Sequence, residues 1–283
     1  MGQQQVALTP ARWLAGKEDP MTRSKLSHRL AAALLSLFLF GLPAAASAAD
    51  CPVTHDQLTK ALKQSVKPSG GPSNGGLDNN EWAAAVDSTG VVCAVTFSGK
   101  TVNDQWLGSR AIAAEKANTA NALSLDGFAL STANLFAGAQ SGGSLYGLNL
   151  TNPVNPAVLY SGEPNAYGTA ADPFVGHVLG GVVTFGGGLA LYDGQKKVGA
   201  IGVSGDTSCA DHNIAWRVRH ALGLDHVPAG VSPAKNDAII YDIGPDKTSL
   251  SGYGHAMCKG QEAKIAQQIG AGFVPEWAKA MKK

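Results

Sequence analysis

Two histidines and a tryptophan recur at regular spacing late in the chain. His212, Trp216 and His220 are four residues apart, so they share one face of an α-helix. A neutral imidazole can be an axial ligand of haem iron, and an aromatic neighbour suits a flat porphyrin. This makes His212 the first candidate for an iron ligand and His220 a second contact. A structural interpretation also fits, in which His212 caps or hydrogen-bonds the helix and His220 is a surface residue in its last turn.

A lysine and an aspartate form a second candidate pair. Lys116 lies on or beside the apolar stripe of a predicted helix, where it either extends its ammonium group to solvent or meets a carboxylate of a ligand. Asp211 lies at the start of a later predicted helix. Together they could act as a general acid/base pair on an organic acid, in an enzyme that needs no iron. Capping of the helix explains Asp211 equally well.

The elements that would position these residues are organised around a central hairpin. Two apolar runs, 189–193 and 198–204, are separated by a short polar turn, which predicts paired β-strands. The second run is apolar apart from its glycines, which indicates a strand covered on both faces or approached closely by another backbone. It ends in a loop with Gly205 and Thr207, followed by a helix at about 209–222. The unpaired N–H groups at that helix start suit an anionic group of a ligand.

The rest of the chain mixes helices and strands. Apolar residues recur at helical spacing behind Thr54, and two apolar runs flank the turn at 88–90. The region 141–172 is rich in Gly, Asn, Pro and Tyr without a clear period, which is typical of a functional lid or an oligomer contact. The predicted elements are helices at 54–66, 106–123, 132–139, 209–222 and 261–269, and strands at 82–87, 91–97, 189–193, 198–204 and 238–243.

The beginning of the chain has the pattern of a secretory signal peptide. Basic residues after Met21 precede an apolar run at 30–42 and a small-residue stretch at 44–49, and the apolar run is too short to span a membrane. We expect cleavage at the end of that stretch and an exported protein, periplasmic or secreted. Residues 1–20 are then an upstream, mis-assigned start. The alternative is a cytoplasmic extension before a membrane anchor.

All four cysteines, Cys51, Cys93, Cys209 and Cys258, follow the predicted cleavage site. An even number of cysteines in an exported chain predicts two disulfides, and of three possible pairings we favour Cys51–Cys93 and Cys209–Cys258. A metal site is less well supported, because no two cysteines have the spacing of a zinc knuckle. The chain has 22 Lys and Arg against 21 Asp and Glu. This balance argues against nucleic-acid or anionic-membrane partners.

Four segments form a series that resembles a known family. They are WAAAVDSTG at 82–90, the lysine-bearing helix at 111–122, GGVV at 180–183, and the hairpin with its T-x-x-x-D turn at 189–211. In this order, over roughly 54–223, they resemble the GlcG/HbpS-like haem-binding ("haem-degrading") family. The resemblance implies a profilin-like α+β sandwich, with an antiparallel sheet of about five strands and packed helices. The chain then divides into upstream residues and signal peptide (1–49), family domain (50–223) and a C-terminal extension packed on the core (224–283).

The resemblance also implies a function. It indicates an exported protein that binds haem non-covalently and that can also degrade haem or serve as a haem-sensing accessory protein. Lys116, or the helix start at Gly205 and Thr207, would then meet the propionates, and His212 would bind the iron. Family members assemble, so we expect a homo-oligomer. Two alternatives stay open: an enzyme that uses Lys116 and Asp211 on a small carboxylate, and a structural module whose apolar hairpin mediates oligomerisation.

Overall fold

The computed structural model describes residues 51–68 and 73–280, so the predicted signal peptide lies outside the described residues. Short 3-10 turns connect several of the elements. In this part of the chain, no helix is both long and apolar enough to cross a membrane. The helices and strands are α1 (His55–Val66), β1 (Trp82–Asp87), β2 (Val92–Phe97), α2 (Ser109–Ala122), α3 (Phe136–Ala139), α4 (Leu148–Thr151), α5 (Pro156–Leu159), β3 (Gly188–Asp193), β4 (Lys196–Ser204), α6 (Ser208–Ala221), β5 (Ile239–Ile240), α7 (Glu262–Gln268), β6 (Gly272–Phe273) and α8 (Glu276–Ala280).

Four antiparallel strands form the central sheet, in the order β2-β1-β4-β3. The two predicted hairpins therefore lie side by side, and β1 pairs with β4 in the middle. This confirms the predicted α+β class with an antiparallel sheet, although the sheet has four strands in place of about five. The strand predicted within 238–243 is the two-residue β5, which pairs in parallel with β6 in a separate small sheet.

Helices cover both faces of the central sheet. On one face, α1 and α6 pack on side chains that include Ala83, Leu189 and Ile201. On the other face, α2 packs on Trp82 and Ala84. Because successive residues of a strand point to opposite faces, all six residues of β1 are buried. This two-sided burial explains why the strand is apolar without the alternation that is typical of a half-exposed strand.

Helix α2 lies directly on two glycines of the sheet. A Cβ atom added to Gly202 would stand 2.0 Å from the carbonyl oxygen of Ala113, and one added to Gly188 would stand 2.5 Å from that of Lys116. Both distances are far shorter than a van der Waals contact, so only glycine fits at these positions. The close approach holds the backbone of Lys116 against β3 and β4.

The insertion at 141–172 is fastened to α2 by a buried ion pair. The Nε and Nη2 atoms of Arg110 donate to Asp172 at 2.9 and 2.5 Å. The guanidinium group also lies over the rings of Tyr167 and Phe174, 3.8 and 3.5 Å from their centroids. A buried carboxylate is stable only with such partners. The segment that we predict to be a lid or an oligomer contact is thus anchored at its C-terminal end.

The C-terminal extension packs on α6. Side chains from β5, α7 and the residues around β6 form an apolar cluster that includes Ala133 and Cys209. In addition, Arg219 of α6 donates to both carboxylate oxygens of Asp237, at 2.7 and 2.8 Å, and both side chains are buried. The extension therefore covers one side of α6 and limits which of its residues can reach a ligand.

The two disulfides have the predicted partners. Cys51 is joined to Cys93 of β2, which links the segment before α1 to the sheet. Cys209, in the first turn of α6, is joined to Cys258, which links the extension to the core. In the described ranges, no group of His, Cys, Asp and Glu residues has the arrangement of a metal site.

We predict that Gly202→Ala lowers the free energy of unfolding by about 1–3 kcal/mol, because the new methyl group must push the backbone of α2 away from β4. The matched control is Gly127→Ala, where a Cβ atom meets nothing within 4 Å. Urea denaturation of both variants measures the effect. An unchanged midpoint for Gly202→Ala would show that α2 does not rest on this glycine.

Candidate functional site

Lys116 and Asp211 form an ion pair in the protein interior. The Nζ atom of Lys116 donates to Oδ2 of Asp211 at 2.6 Å and to the carbonyl oxygen of Val203 at 2.9 Å. Neither side chain is more than 2% exposed. The ammonium group therefore does not extend to solvent, and the pair joins α2 to the start of α6. As an acid/base pair it would have almost no surface at which to meet a substrate.

Glu81 is a third ionisable group beside this pair, and the sequence analysis does not identify it. Its side chain is fully buried, and neither carboxyl oxygen has a hydrogen-bond partner among the described residues. Burial and then the nearby Asp211 carboxylate raise the pKa of Glu81 well above its ordinary value, against the opposing effect of Lys116. The cluster of one ammonium and two carboxyl groups is neutral when Glu81 holds a proton. The available signal is the position of this glutamate directly before the apolar run 82–86.

His212 belongs to the core. The side chain is fully buried, and neither ring nitrogen has a hydrogen-bond partner in the described part of the chain. Burial lowers the pKa of the imidazole to about 3, so the ring is neutral near pH 7. The ring centroid lies 6.1 Å from that of Trp216. Because His212 has no exposed surface, it could ligate a haem iron only after the surrounding core had rearranged.

The N-terminus of α6 is occupied by the protein's own carboxylate groups. Thr207 caps the helix by accepting a backbone N–H bond of 3.2 Å, and its hydroxyl donates to Glu262 of α7 at 2.9 Å. The backbone N–H of Asp206 donates to Oδ1 of Asp211 at 2.9 Å. The anionic group that we expect at Gly205 and Thr207 is therefore supplied by the chain itself, which leaves this helix start closed to a ligand.

His220 is the histidine of α6 that a ligand can reach. Its side chain is 80% exposed, and its Nδ1 atom lies 2.6 Å from Oδ2 of Asp225. A carboxylate that accepts the Nδ1 proton orients the ring and leaves Nε2 as the basic nitrogen, which is a common arrangement for metal-binding histidines. His220 lines a groove of about 320 Å³ beside Trp216 and Ile269. This volume lies at the lower end of the range for ligand sites.

Arg217 adds a positive charge to the same groove. Its Nε and Nη2 atoms donate to Asn74 and Ser73 at 3.1 and 3.5 Å, which hold the guanidinium group in place. The groove thus combines an oriented imidazole, an indole and a fixed cation. Imidazole suits haem iron, an aromatic surface suits a porphyrin, and a guanidinium group suits a carboxylate such as a propionate. The residues of this groove fit haem, whereas the surroundings of His212 do not.

The fold and this groove define a class of protein, an antiparallel α+β sandwich with a histidine-containing surface site. Residues 80–219 match the family model described as "Haem degrading protein HbpS-like". This part of the chain belongs to the HbpS-like family, as the sequence resemblance predicts. The match ends one residue before His220, so the groove also uses residues beyond the family region.

Several solved structures resemble the chain. Klebsiella pneumoniae protein ORFY, of the family model DUF336, is 21% identical, with a TM-score of 0.41 over 62% of this chain and 90% of that one. A PduOC–haem complex is 25% identical, with a TM-score of 0.39 over 59% and 89%. A double mutant of Streptomyces reticuli HbpS is 16% identical, with a TM-score of 0.37 over 60% and 87%. No curated protein matches the chain. The family assignment rests on the family model and not on these structures.

We predict that Lys116→Met lowers the free energy of unfolding by about 3–5 kcal/mol, because it leaves the buried carboxyl group of Asp211 without its cation. The double variant Lys116→Met/Asp211→Asn should recover part of this loss, since asparagine is neutral and can still accept from the N–H of Asp206. Chemical denaturation of both single variants and the double variant gives the coupling. Purely additive effects would contradict a direct ion pair.

We predict that Glu81 makes the protein less stable as pH rises. The pKa of Glu81 is higher in the folded than in the unfolded protein. The stability that Glu81 contributes is therefore fully present below its ordinary pKa near 4.5 and is lost as pH rises towards the pKa of the folded state. Glu81→Gln should remove this part of the pH dependence, while Glu163→Gln at an exposed site should not. Denaturation at a series of pH values above about 4.5 measures the difference. Parallel stability curves for wild type and Glu81→Gln would refute it.

Proposed function

We propose that this protein binds haem non-covalently in the groove of His220, whose imidazole is the iron ligand. Membership of residues 80–219 in a family described as haem-degrading supports the ligand. The exposed His220 ring, with Nδ1 paired to Asp225 at 2.6 Å, is the observation that selects the site. On the same helix, His212 is a weaker candidate because it has no exposed surface.

The residues at the groove have different roles in haem binding. Asp225 accepts the Nδ1 proton of His220 and thereby leaves the Nε2 lone pair free to face the iron. Trp216 and Ile269 exclude water from an apolar wall. Arg217 offers a positive charge for a propionate. When bound, haem would supply the redox chemistry of its iron.

The size of the groove favours binding over degradation as the basic activity. A groove of about 320 Å³ leaves part of a porphyrin-sized ligand in contact with solvent. Such a ligand can exchange, which suits a carrier or a haem-sensing accessory protein. Haem degradation, which the family description names, would be a further activity beyond binding, and it would be measured on the complex of the protein with haem.

The proposal includes export and self-association. Structural disulfides persist mainly in oxidising compartments, and the chain has two. Together with the signal-peptide pattern in the sequence, this supports a periplasmic or secreted protein. Large apolar side chains of the insertion, such as Leu150 and Tyr160, are 78% and 82% exposed. They are available for contacts between copies of the chain, which supports a homo-oligomer.

Hemin titration of the purified, oxidised protein tests the proposal by absorption spectroscopy. We predict a saturable Soret shift for the wild type, and at least about tenfold weaker binding or a changed spectrum for His220→Ala, because the iron loses its ligand. Asp225→Asn should weaken binding less, because the ring keeps its nitrogen but loses its orienting carboxylate.

The matched control is His226→Ala, which removes another exposed histidine close in sequence. It should bind hemin like the wild type. Equal effects of His220→Ala and His226→Ala would indicate non-specific association with surface histidines. An unchanged spectrum and affinity in His220→Ala would remove this residue as the ligand, and no saturable shift in the wild type would remove haem.

A further inference from the structure

A second cavity, of about 710 Å³, lies between the segments 136–144 and 243–256. Its volume is more than twice that of the His220 groove and falls well within the range of small-molecule sites. One wall comes from α3 and the turn that follows it. The other wall comes from the C-terminal extension, beyond the family match at 80–219. This cavity is therefore a feature of this chain's own architecture.

A backbone hydrogen bond and a contact between two rings hold the two walls of the cavity together. The backbone N–H of Ala137 donates to the carbonyl oxygen of Gly254 at 3.1 Å. The ring of Phe136 lies 4.6 Å from the buried ring of His255. On the opposite wall, the Ser249 hydroxyl accepts from two backbone N–H groups of its own loop, at 3.0 and 2.9 Å. The cavity is thus formed before any ligand arrives, which lowers the cost of binding.

The lining side chains combine hydroxyl groups, apolar groups and one charge. Ser141, Ser144 and Thr248 are exposed and contribute hydroxyl groups, and Phe136 contributes an aromatic surface. Lys247 is the charged side chain among the lining residues, and no carboxylate lines the cavity. The sign of the charge favours an anion, and the number of hydroxyl groups favours a ligand that itself carries hydroxyl groups.

Two acidic residues of the same segment are already engaged. Asp242 accepts from the hydroxyl of Ser249 at 2.7 Å and from the N–H of Ser251 at 2.7 Å. Asp246 accepts from the N–H of Thr248 at 3.0 Å. These bonds leave both carboxylates charged, but neither residue lines the cavity, so Lys247 is the charged group that a ligand there would meet.

We propose that this cavity is a binding site for a small hydroxylated carboxylate of the size of a sugar acid. The ligand carboxylate pairs with Lys247, its hydroxyl groups bond the Ser141, Ser144 and Thr248 side chains, and its less polar face lies against Phe136. The lining has no His, Cys, Met or Tyr side chain, so it offers none of the usual ligands of haem iron. The site is separate from the His220 groove and does not depend on haem.

Calorimetric titration of the full, hemin-free protein with D-glucuronate, D-glucose and succinate tests the proposal. D-glucuronate carries both the carboxylate and the hydroxyl groups, whereas each of the other two lacks one of them. We expect saturable binding of D-glucuronate, at least about tenfold tighter than either of the others, because the site uses both kinds of group.

Two variants locate the binding in the cavity. Lys247→Gln removes the charge and should weaken D-glucuronate binding at least about tenfold, and Ser144→Trp fills the space and should abolish it. Lys235→Gln is the matched control, since Lys235 is also an exposed lysine with a left-handed backbone, φ 59° against 65° for Lys247. It should bind like the wild type, as should His220→Ala.

Three results would overturn the proposal. The first is the absence of saturable heat with D-glucuronate for a protein that is folded by circular dichroism. The second is equal binding of D-glucuronate and succinate. The third is D-glucuronate binding that Lys247→Gln and Ser144→Trp leave unchanged, which would place the ligand elsewhere. None of these results bears on hemin binding at His220.

Discussion

The close contact between α2 and two glycines of the sheet sets the positions of the other parts of the core. Because Gly202 and Gly188 have no side chains, the backbone of α2 rests directly on β4 and β3. From that position, the Lys116 side chain passes beside Gly187 and reaches Asp211 of α6, a helix that packs on the other face of the sheet. A larger residue in β4 would move α2 outward and separate the ammonium group from its carboxylate. The packing of the layers and the placement of charge therefore depend on the same close contact.

We interpret the buried ion pairs as contributing to the specificity of the fold more than to its stability. Among the described residues, the cations Arg110, Lys116 and Arg219 are buried, and each pairs with a buried aspartate. The first pair fixes the insertion, the second fixes α6 and the third fixes the C-terminal extension. Removing charges from water costs several kcal/mol per ion, so such pairs add little net stability, but an arrangement that separates them is strongly disfavoured. We interpret each pair as selecting one placement for the segment that it fixes.

The sequence predicts those features that local patterns determine. Residue type and spacing predict the helix that begins behind Thr54, both hairpins of the sheet and the other helical stretches, and the structure has them. The histidines of α6 are harder to rank, because His212 and His220 lie only about 80° apart around the helix and so share one broad face. Which of them is covered depends on the extension, which folds back from far along the chain. The burial of Glu81 and the placement of Glu262 at the start of α6 also come from contacts distant in sequence, which no local period encodes.

Glu262 contacts Thr207 at the start of α6 and belongs to the same chain. Its carboxylate therefore competes as an intramolecular group with any free anion that could bind there. The disulfide between Cys209 and Cys258 holds the chain only four residues before Glu262. A carboxylate on so short a tether has an effective concentration on the order of millimolar or more, and a free anion must exceed that concentration to displace it. Reduction of the disulfide removes the short tether and lowers the concentration that a competitor needs.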